Sequence, residues 1–291
     1  MILGSCGEKS SKQDKSRSDA QVIKSILAVQ GSLPDVDKFN IVAEIFSLDN
    51  QKIAEGIWPG NITVIDAQSI LAKILVQTSR SVGLSVVYNE ILSFEGCEMY
   101  FFHDDWGDVS FGELAYRFPD GVPMGLLHAD GALSINPEAD RRVLPDDELL
   151  ILAEDNDTIE YLDSPVVSPR DLPIADRQLE QVIEKELIIG WSPKIALILQ
   201  EYSDYVKEGS AIDLVIRSAN KKIETWVEHF QKKVPNINLS VKYRDTHSTQ
   251  ELSSIKPFEY DNIIILSPDS SGEDEEGADA ETITELLLLR S

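Results

Sequence analysis

Ile2-Leu3-Gly4-Ser5, near the start of the chain, is echoed by Ile264-Ile265-Leu266-Ser267 near its end. A polar loop follows each. Then comes Ser18-Asp19-Ala20-Gln21-Val22-Ile23-Lys24-Ser25-Ile26-Leu27 in the first place and Ala278-Asp279-Ala280-Glu281-Thr282-Ile283-Thr284-Glu285-Leu286-Leu287 in the second. Both read as an apolar strand, a loop closing on Asp-Ala, and a helix with apolar residues at matching offsets. Asp is a natural N-cap, so Asp19 and Asp279 are expected to open their helices. A strand and helix of this kind form the middle of an α/β unit. The pattern therefore predicts two units in tandem, the first entered halfway and the second left halfway. Cut sheets carry unpaired edges, so the N-terminal half-unit is expected to complete the C-terminal one.

Outward from Ile2, Asn40–Phe46 and Ile62–Ile65 read as strands, with a short helix between them that Asp49 or Asn50 caps. This alternation implies a parallel sheet with helical crossovers. Ile70, Leu71, Ile74 and Leu75 make one helical stripe; Leu84, Val87, Tyr88, Ile91 and Leu92 make another beyond Gly83. The helix pair is too apolar for an isolated surface hairpin: it packs either on the sheet of the same chain or, with the second stripe as the interface, on a partner subunit. From Cys97 the order becomes β-α-β-β-β, with Asp130-Gly131 marking a hairpin. A second α/β unit starts at Glu186-Leu187-Ile188-Ile189-Gly190-Trp191, with Ser192 as the N-cap of the next helix and Pro193 at its first position. The expected divisions are 1–75, half of a Rossmann-like lobe; 76–96, a helix-turn-helix; 97–160, a small α+β domain; 161–185, a linker; and 186–291, a second Rossmann-like lobe. The fold class is α/β, with parallel-sheet half-units flanking the α+β domain.

The 291 residues carry 51 acids against 26 bases, a formal charge of −25. That balance argues against nucleic acid, which needs a basic footprint, and is compatible with cation binding. Cys6 and Cys97 are the only cysteines, with neither metal spacing nor a disulfide framework. The sequence contains no run of 18 apolar residues and no signal-peptide pattern after Met1.

Catalytic signals are missing. A dinucleotide turn needs glycines so that the backbone can approach pyrophosphate at a helix N-terminus. Here it reads Gly190-Trp191-Ser192-Pro193, and the next strand ends in Arg217-Ser218 rather than a ribose-binding acid. NAD is therefore not expected. His103, His128, His229 and His247 show no metal spacing, and Ser5 and Ser267 lack a nucleophile turn. The acidic clusters remain: Asp104, Asp105 and Asp108; Glu154, Asp155 and Asp157; and the run from Glu273 to Glu276. Loop carboxylates are hard oxygen ligands of the type calcium prefers. The first two clusters are the candidate metal ligands, with Asp155 and Asp157 foremost.

The order of half-unit, helix-turn-helix, α+β domain and second unit resembles tandem RCK domains, the regulatory modules of potassium channels and TrkA-type transport proteins. Three stretches sharpen the resemblance. The first runs from Val76-Gln77-Thr78-Ser79-Arg80-Ser81-Val82-Gly83-Leu84 to Tyr88-Asn89-Glu90-Ile91-Leu92-Ser93-Phe94-Glu95-Gly96-Cys97-Glu98-Met99-Tyr100. The second joins Val109-Ser110-Phe111-Gly112-Glu113-Leu114 to Phe118-Pro119-Asp120-Gly121-Val122-Pro123-Met124-Gly125. The third is Asp146-Asp147-Glu148-Leu149-Leu150-Ile151-Leu152-Ala153-Glu154-Asp155-Asn156-Asp157-Thr158. Together they are similar to the cytosolic region of the Castor and Pollux ion channels. Gly190-Trp191 matches too, but Ser192-Pro193 stands where that family usually has basic residues. The resemblance implies a non-enzymatic gating-ring module at the cytoplasmic face of a membrane. It also implies self-assembly, as a dimer or a tetrameric or octameric ring, and coupling to a pore-forming membrane domain. Calcium is the ligand it implies. The competing reading is a soluble α/β nucleotide-binding protein or enzyme with a degenerate dinucleotide site.

Overall fold

The computed structural model describes residues 1–6, 10–32, 40–167, 182–192, 194–267 and 275–290. The chain forms two compact units, one of Met1–Val82 with Glu180–Ser291 and one of Gly83–Leu179.

The first unit begins with Ile2, which bridges to Ala43 rather than forming a strand. Helix α1 spans Lys12–Ser32. It starts earlier than expected because Ser11 Oγ accepts the Asp14 N–H at 3.2 Å. Asp19 thus lies inside α1 and does not cap it. Its buried carboxylate accepts instead from Phe46 N (2.9 Å), Ser47 N (3.0 Å) and Asn50 Nδ2 (2.8 Å), ordering the entry to α2, Leu48–Ile57. Asp279 likewise lies inside its helix, but exposed. Strands β1 (Ile41–Glu44) and β2 (Ile62–Ile65) pair in parallel. Val22, Ile26, Ala43, Ile45 and Ala54 form the core beneath them.

Asp66 caps α3, Ala67–Arg80, accepting from Ser69 N at 3.1 Å. The buried face of α3 is Ala72 and Val76; Ile70 and Leu71 of the expected stripe are exposed. The small Ala72 allows close approach to the C-terminal lobe, where Ala72 and Val76 share a core with Ile195, Ile198, Leu199 and Tyr202.

That lobe alternates β7 (Lys185–Ile189), α6 (Ile195–Tyr205), β8 (Ser210–Ile216), α7 (Lys221–Gln231), β9 (Ile237–Tyr243), α8 (Thr249–Ile255), β10 (Asn262–Ile265) and α9 (Glu275–Arg290), and so confirms the α/β class. Its strands are all parallel in the order β10-β7-β8-β9, the arrangement of a Rossmann half. β7 and β8 are almost wholly buried, as a sheet covered on both faces requires. Among the described residues the expected completion of one sheet by the other does not occur: the two sheets stay separate. The chain leaves β2 directly into α3, so a helix, not a strand, joins the C-terminal core.

In the second unit α4 covers Leu84–Ile91 and β3 covers Glu98–Phe102. Gly83 takes φ +90° to start α4, a conformation that favours glycine. Helix α5 (Phe111–Leu114) has the Ser110–Glu113 capping box, and β4 (Val122–Leu127), β5 (Leu133–Ile135) and β6 (Glu148–Ala153) follow. The antiparallel order is β3-β6-β4-β5. One face packs Leu126, Leu149 and Ile151 against Trp106, Phe111, Leu114 and Phe118. The other face leaves Met99, Phe101 and Ile135 exposed. The start of the expected linker is held down: Leu162 N donates to Arg117 O (3.0 Å) and Val166 N to Tyr116 O (2.7 Å).

Candidate functional site

The strand order of the C-terminal lobe reverses between β7 and β10, and ligands of open α/β sheets bind outside the carboxyl ends of the strands at such a point. A cavity of about 430 Å³ lies there, lined by Gly190, Trp191, Arg217, Thr246, Leu266 and Glu285 among others. Gly190 is required: its φ is +95°, and a Cβ would meet the Leu266 carbonyl oxygen at 2.4 Å. Trp191 packs edge-on against Trp226 with ring centroids 5.1 Å apart.

Helix α6 begins at Ile195, later than expected, and Pro193 lies outside the described residues. Ser192 takes up two N-terminal donors, its Oγ accepting from Lys194 N at 3.3 Å and its carbonyl from Ile195 N at 3.0 Å. The protein thus occupies donors that a pyrophosphate would need.

Arg217 at the end of β8 is also engaged. Its Nη2 lies 3.4 Å from Glu281 and 3.7 Å from Glu285 on α9. It also lies 2.6 Å from His247 Nε2. A guanidinium only donates, so Nε2 is the acceptor there. Thr246 donates to Glu285, and burial pushes the Glu285 carboxyl above its usual range. The cavity is therefore apolar at its base, with one cation and two carboxylates at the rim.

The expected metal ligands do not converge. In the antiparallel β3–β6 pair, Glu98 faces Ala153 and Phe102 faces Leu149. Asp104, Asp105 and Asp108 follow one end of this pair; Glu154, Asp155 and Asp157 follow the other, roughly 14 Å away for a five-residue strand. Asp108 pairs with Arg142 at 2.9 Å, and Asp104 Oδ1 accepts from Asp105 N at 2.7 Å. Asp155 caps a 3₁₀ turn, accepting from Asp157 N at 3.2 Å. Among the described residues no group of three or more His, Cys, Asp and Glu side chains could hold a metal. Glu273 and Asp274 lie outside the described residues.

In the interface stripe Leu84, Tyr88 and Ile91 are half-buried, and Val87 and Leu92 are exposed; α4 has no buried residue. Sequence reading missed one constellation: His128 Nδ1 lies 2.8 Å from Asp147 Oδ1 and Nε2 lies 2.9 Å from Ser134 Oγ. Ser134 pairs in register with the fully buried Leu126, so its hydroxyl belongs to the core side of the sheet. These three residues tie the β4–β5 hairpin to the segment before β6. They come together only through the hairpin register, and no short motif signals them.

Fold and sites define a Rossmann-type α/β unit and an antiparallel α+β unit, with a ligand-sized cleft whose rim groups are already paired. The family model described as "Castor and Pollux, part of voltage-gated ion channel" matches residues 68–167. "Probable ion channel CASTOR" of Oryza sativa subsp. japonica is 26% identical over 94% of this chain and 31% of its own length. "Probable ion channel POLLUX" of the same plant is 26% identical over 96% and 29%. "Ion channel CASTOR" of Lotus japonicus is 25% identical over 94% and 33%. The chain is thus similar to the Castor and Pollux channels along nearly all of its length, and it spans about a third of theirs. Those relatives are named as channels, not enzymes. Among solved structures, a ketoreductase domain from the bacillaene assembly line covers 99% of this chain and 64% of its own at 9% identity; its TM-score of 0.28 carries no argument. No helix among the described residues is long and apolar enough to cross a membrane.

Proposed function

We propose that the chain is a non-catalytic regulatory module of a cation channel, of the tandem RCK, TrkA-like type. In this reading it assembles with copies of itself as a gating ring at the cytoplasmic face of the membrane and acts on a pore-forming domain. The observation that carries this reading is the similarity to ion channels over 94–96% of the chain. Two exposed apolar surfaces support self-assembly: α4 with Val87 and Leu92, and the outer sheet face with Met99, Phe101 and Ile135. Ligand binding regulates such a ring only if it favours one ring state over another.

Calcium is the first ligand to test, and Asp155 and Asp157 are the first residues. Calcium takes six to eight oxygens, more than this loop gathers by itself. Calorimetric titration at about 0.15 M salt, where screening is already strong, decides the matter. Heat that disappears in Asp155→Asn with Asp157→Asn supports the calcium reading. The cleft at the strand ends favours the second reading, a nucleotide-binding protein. Absence of calcium heat together with tight NAD binding would establish that reading instead.

A further inference from the structure

Glu186, in β7, has an unusual setting for a carboxyl group: it is 1% exposed and its contacts are neutral. The Tyr202 hydroxyl donates to Oε2 at 3.1 Å and the Asn262 amide donates to Oε1 at 2.9 Å. Tyr202, on α6, is itself fully buried, and its oxygen lies 2.8 Å from Ser79 Oγ on α3. Ser79 Oγ in turn lies 2.8 Å from the Val76 carbonyl in the last turns of α3. A continuous hydrogen-bonded chain thus runs from a buried carboxyl of the C-terminal lobe to the helix that closes over it.

The charged groups nearby do not neutralise Glu186. From α3, Arg80 is committed to Glu184, with one contact of 2.7 Å. Glu184, just before β7, is that same partner. Lys185 lies on the Tyr260 ring at 4.3 Å. β8 presents Ile212 beside Glu186 in register, α6 contributes Tyr202 and β10 contributes Asn262.

We propose that the Glu186–Tyr202–Ser79 chain is a proton-responsive relay that sets how firmly α3 is held on the C-terminal lobe. With Glu186 protonated, every hydrogen has an acceptor: carboxyl to Tyr202, Tyr202 to Ser79, Ser79 to the Val76 carbonyl. Loss of the proton to solvent reverses the chain. Tyr202 then donates to the carboxylate, and the Ser79 hydroxyl is drawn from Val76 toward Tyr202. One bond of the α3 terminus is shared or lost, and a charge is left in a nearly dry site. Burial is the largest influence on the Glu186 carboxyl and pushes it up to about 7; donation from Asn262 and Tyr202 opposes this, Glu184 adds to it and Arg80 opposes it.

Hydrogen exchange of the full chain at pH 6 and pH 8, corrected for intrinsic rates, tests the relay. Protection of residues 70–82 should fall about threefold over that interval, about what weakening the single Ser79–Val76 hydrogen bond is worth. Glu186→Gln should abolish the fall, and so should Ser79→Ala, which keeps the carboxyl and removes the link. A wild-type α3 indifferent to pH would overturn the proposal, as would a fall that persists in Ser79→Ala. If Glu186→Gln does not fold, Tyr202→Phe takes its place with the same expected loss of pH response.

Discussion

Arg80 and Glu184, 104 residues apart, form a two-pronged ion pair, one prong of which is the 2.7 Å contact from Nη2 to Oε1. The guanidinium also lies 3.8 Å above the Tyr205 ring centroid. Both partners are largely buried, with 17% and 14% of their side chains exposed. The pair fixes the end of α3 to the C-terminal lobe beside Ser79 and Tyr202.

Arg80→Ala leaves the Glu184 carboxylate unpaired in a site that solvent barely reaches. It should cost about 2–3 kcal/mol, read as a lower urea midpoint. Arg80→Lys keeps the charge but not the planar fork or the ring stacking, so it should recover only part of the loss. A midpoint unchanged in Arg80→Ala would mean that α3 is held by its apolar face alone.

Gly190→Ala should destabilise the C-terminal lobe by about 3 kcal/mol, combining positive-φ strain with a clash against the Leu266 backbone. Thermal melting reports it. A loss below about 0.5 kcal/mol would show that the β7 and β10 ends separate easily.

Asp213 in β8 accepts from Ser240 (2.5 Å), Lys242 (2.6 Å) and Tyr260 (2.5 Å). Burial alone raises its carboxyl, but donation from Lys242, Ser240 and Tyr260 outweighs burial and leaves it below its ordinary value. A carboxyl lowered by folding adds stability above its unfolded pKa and loses it as pH falls through the folded one. Asp213→Asn should therefore cost about 2 kcal/mol at pH 7 and far less near pH 2. Lys242 is 37% exposed, so solvent screens part of its share. Equal losses at both pH values in chemical denaturation would contradict this account.

Strand and helix identities were legible wherever periodicity is local. Ile62–Ile65 and Asn262–Ile265 are strands as their apolar runs suggested, and Asp130-Gly131 turns the hairpin. The Castor and Pollux likeness was also legible, because it rests on contiguous stretches. The errors fall where distant residues decide. Asp19 was read as capping its own helix, yet it serves the start of α2 across the core. Ile70 and Leu71 looked like the packing stripe of α3, but the approach of α6 selects the smaller Ala72 and Val76. Nothing in the sequence placed the two candidate acid clusters relative to one another; the antiparallel register of β3 and β6 puts them at opposite ends. The cleft beside Arg217 left only its Gly190-Trp191 turn in the sequence; the α9 carboxylates that close its rim are remote in the chain.

Self-assembly of the chain is read by multi-angle light scattering of the purified protein across a hundredfold range of concentration. A gating-ring module should show a mass of at least two chains that falls toward a monomer on dilution. Leu84→Asp with Ile91→Asp should shift that transition to higher concentration, because burying two carboxylates in an apolar contact is strongly unfavourable. A wild-type chain that is monomeric throughout would contradict the gating-ring account, and an oligomer indifferent to the double substitution would move its interface away from α4.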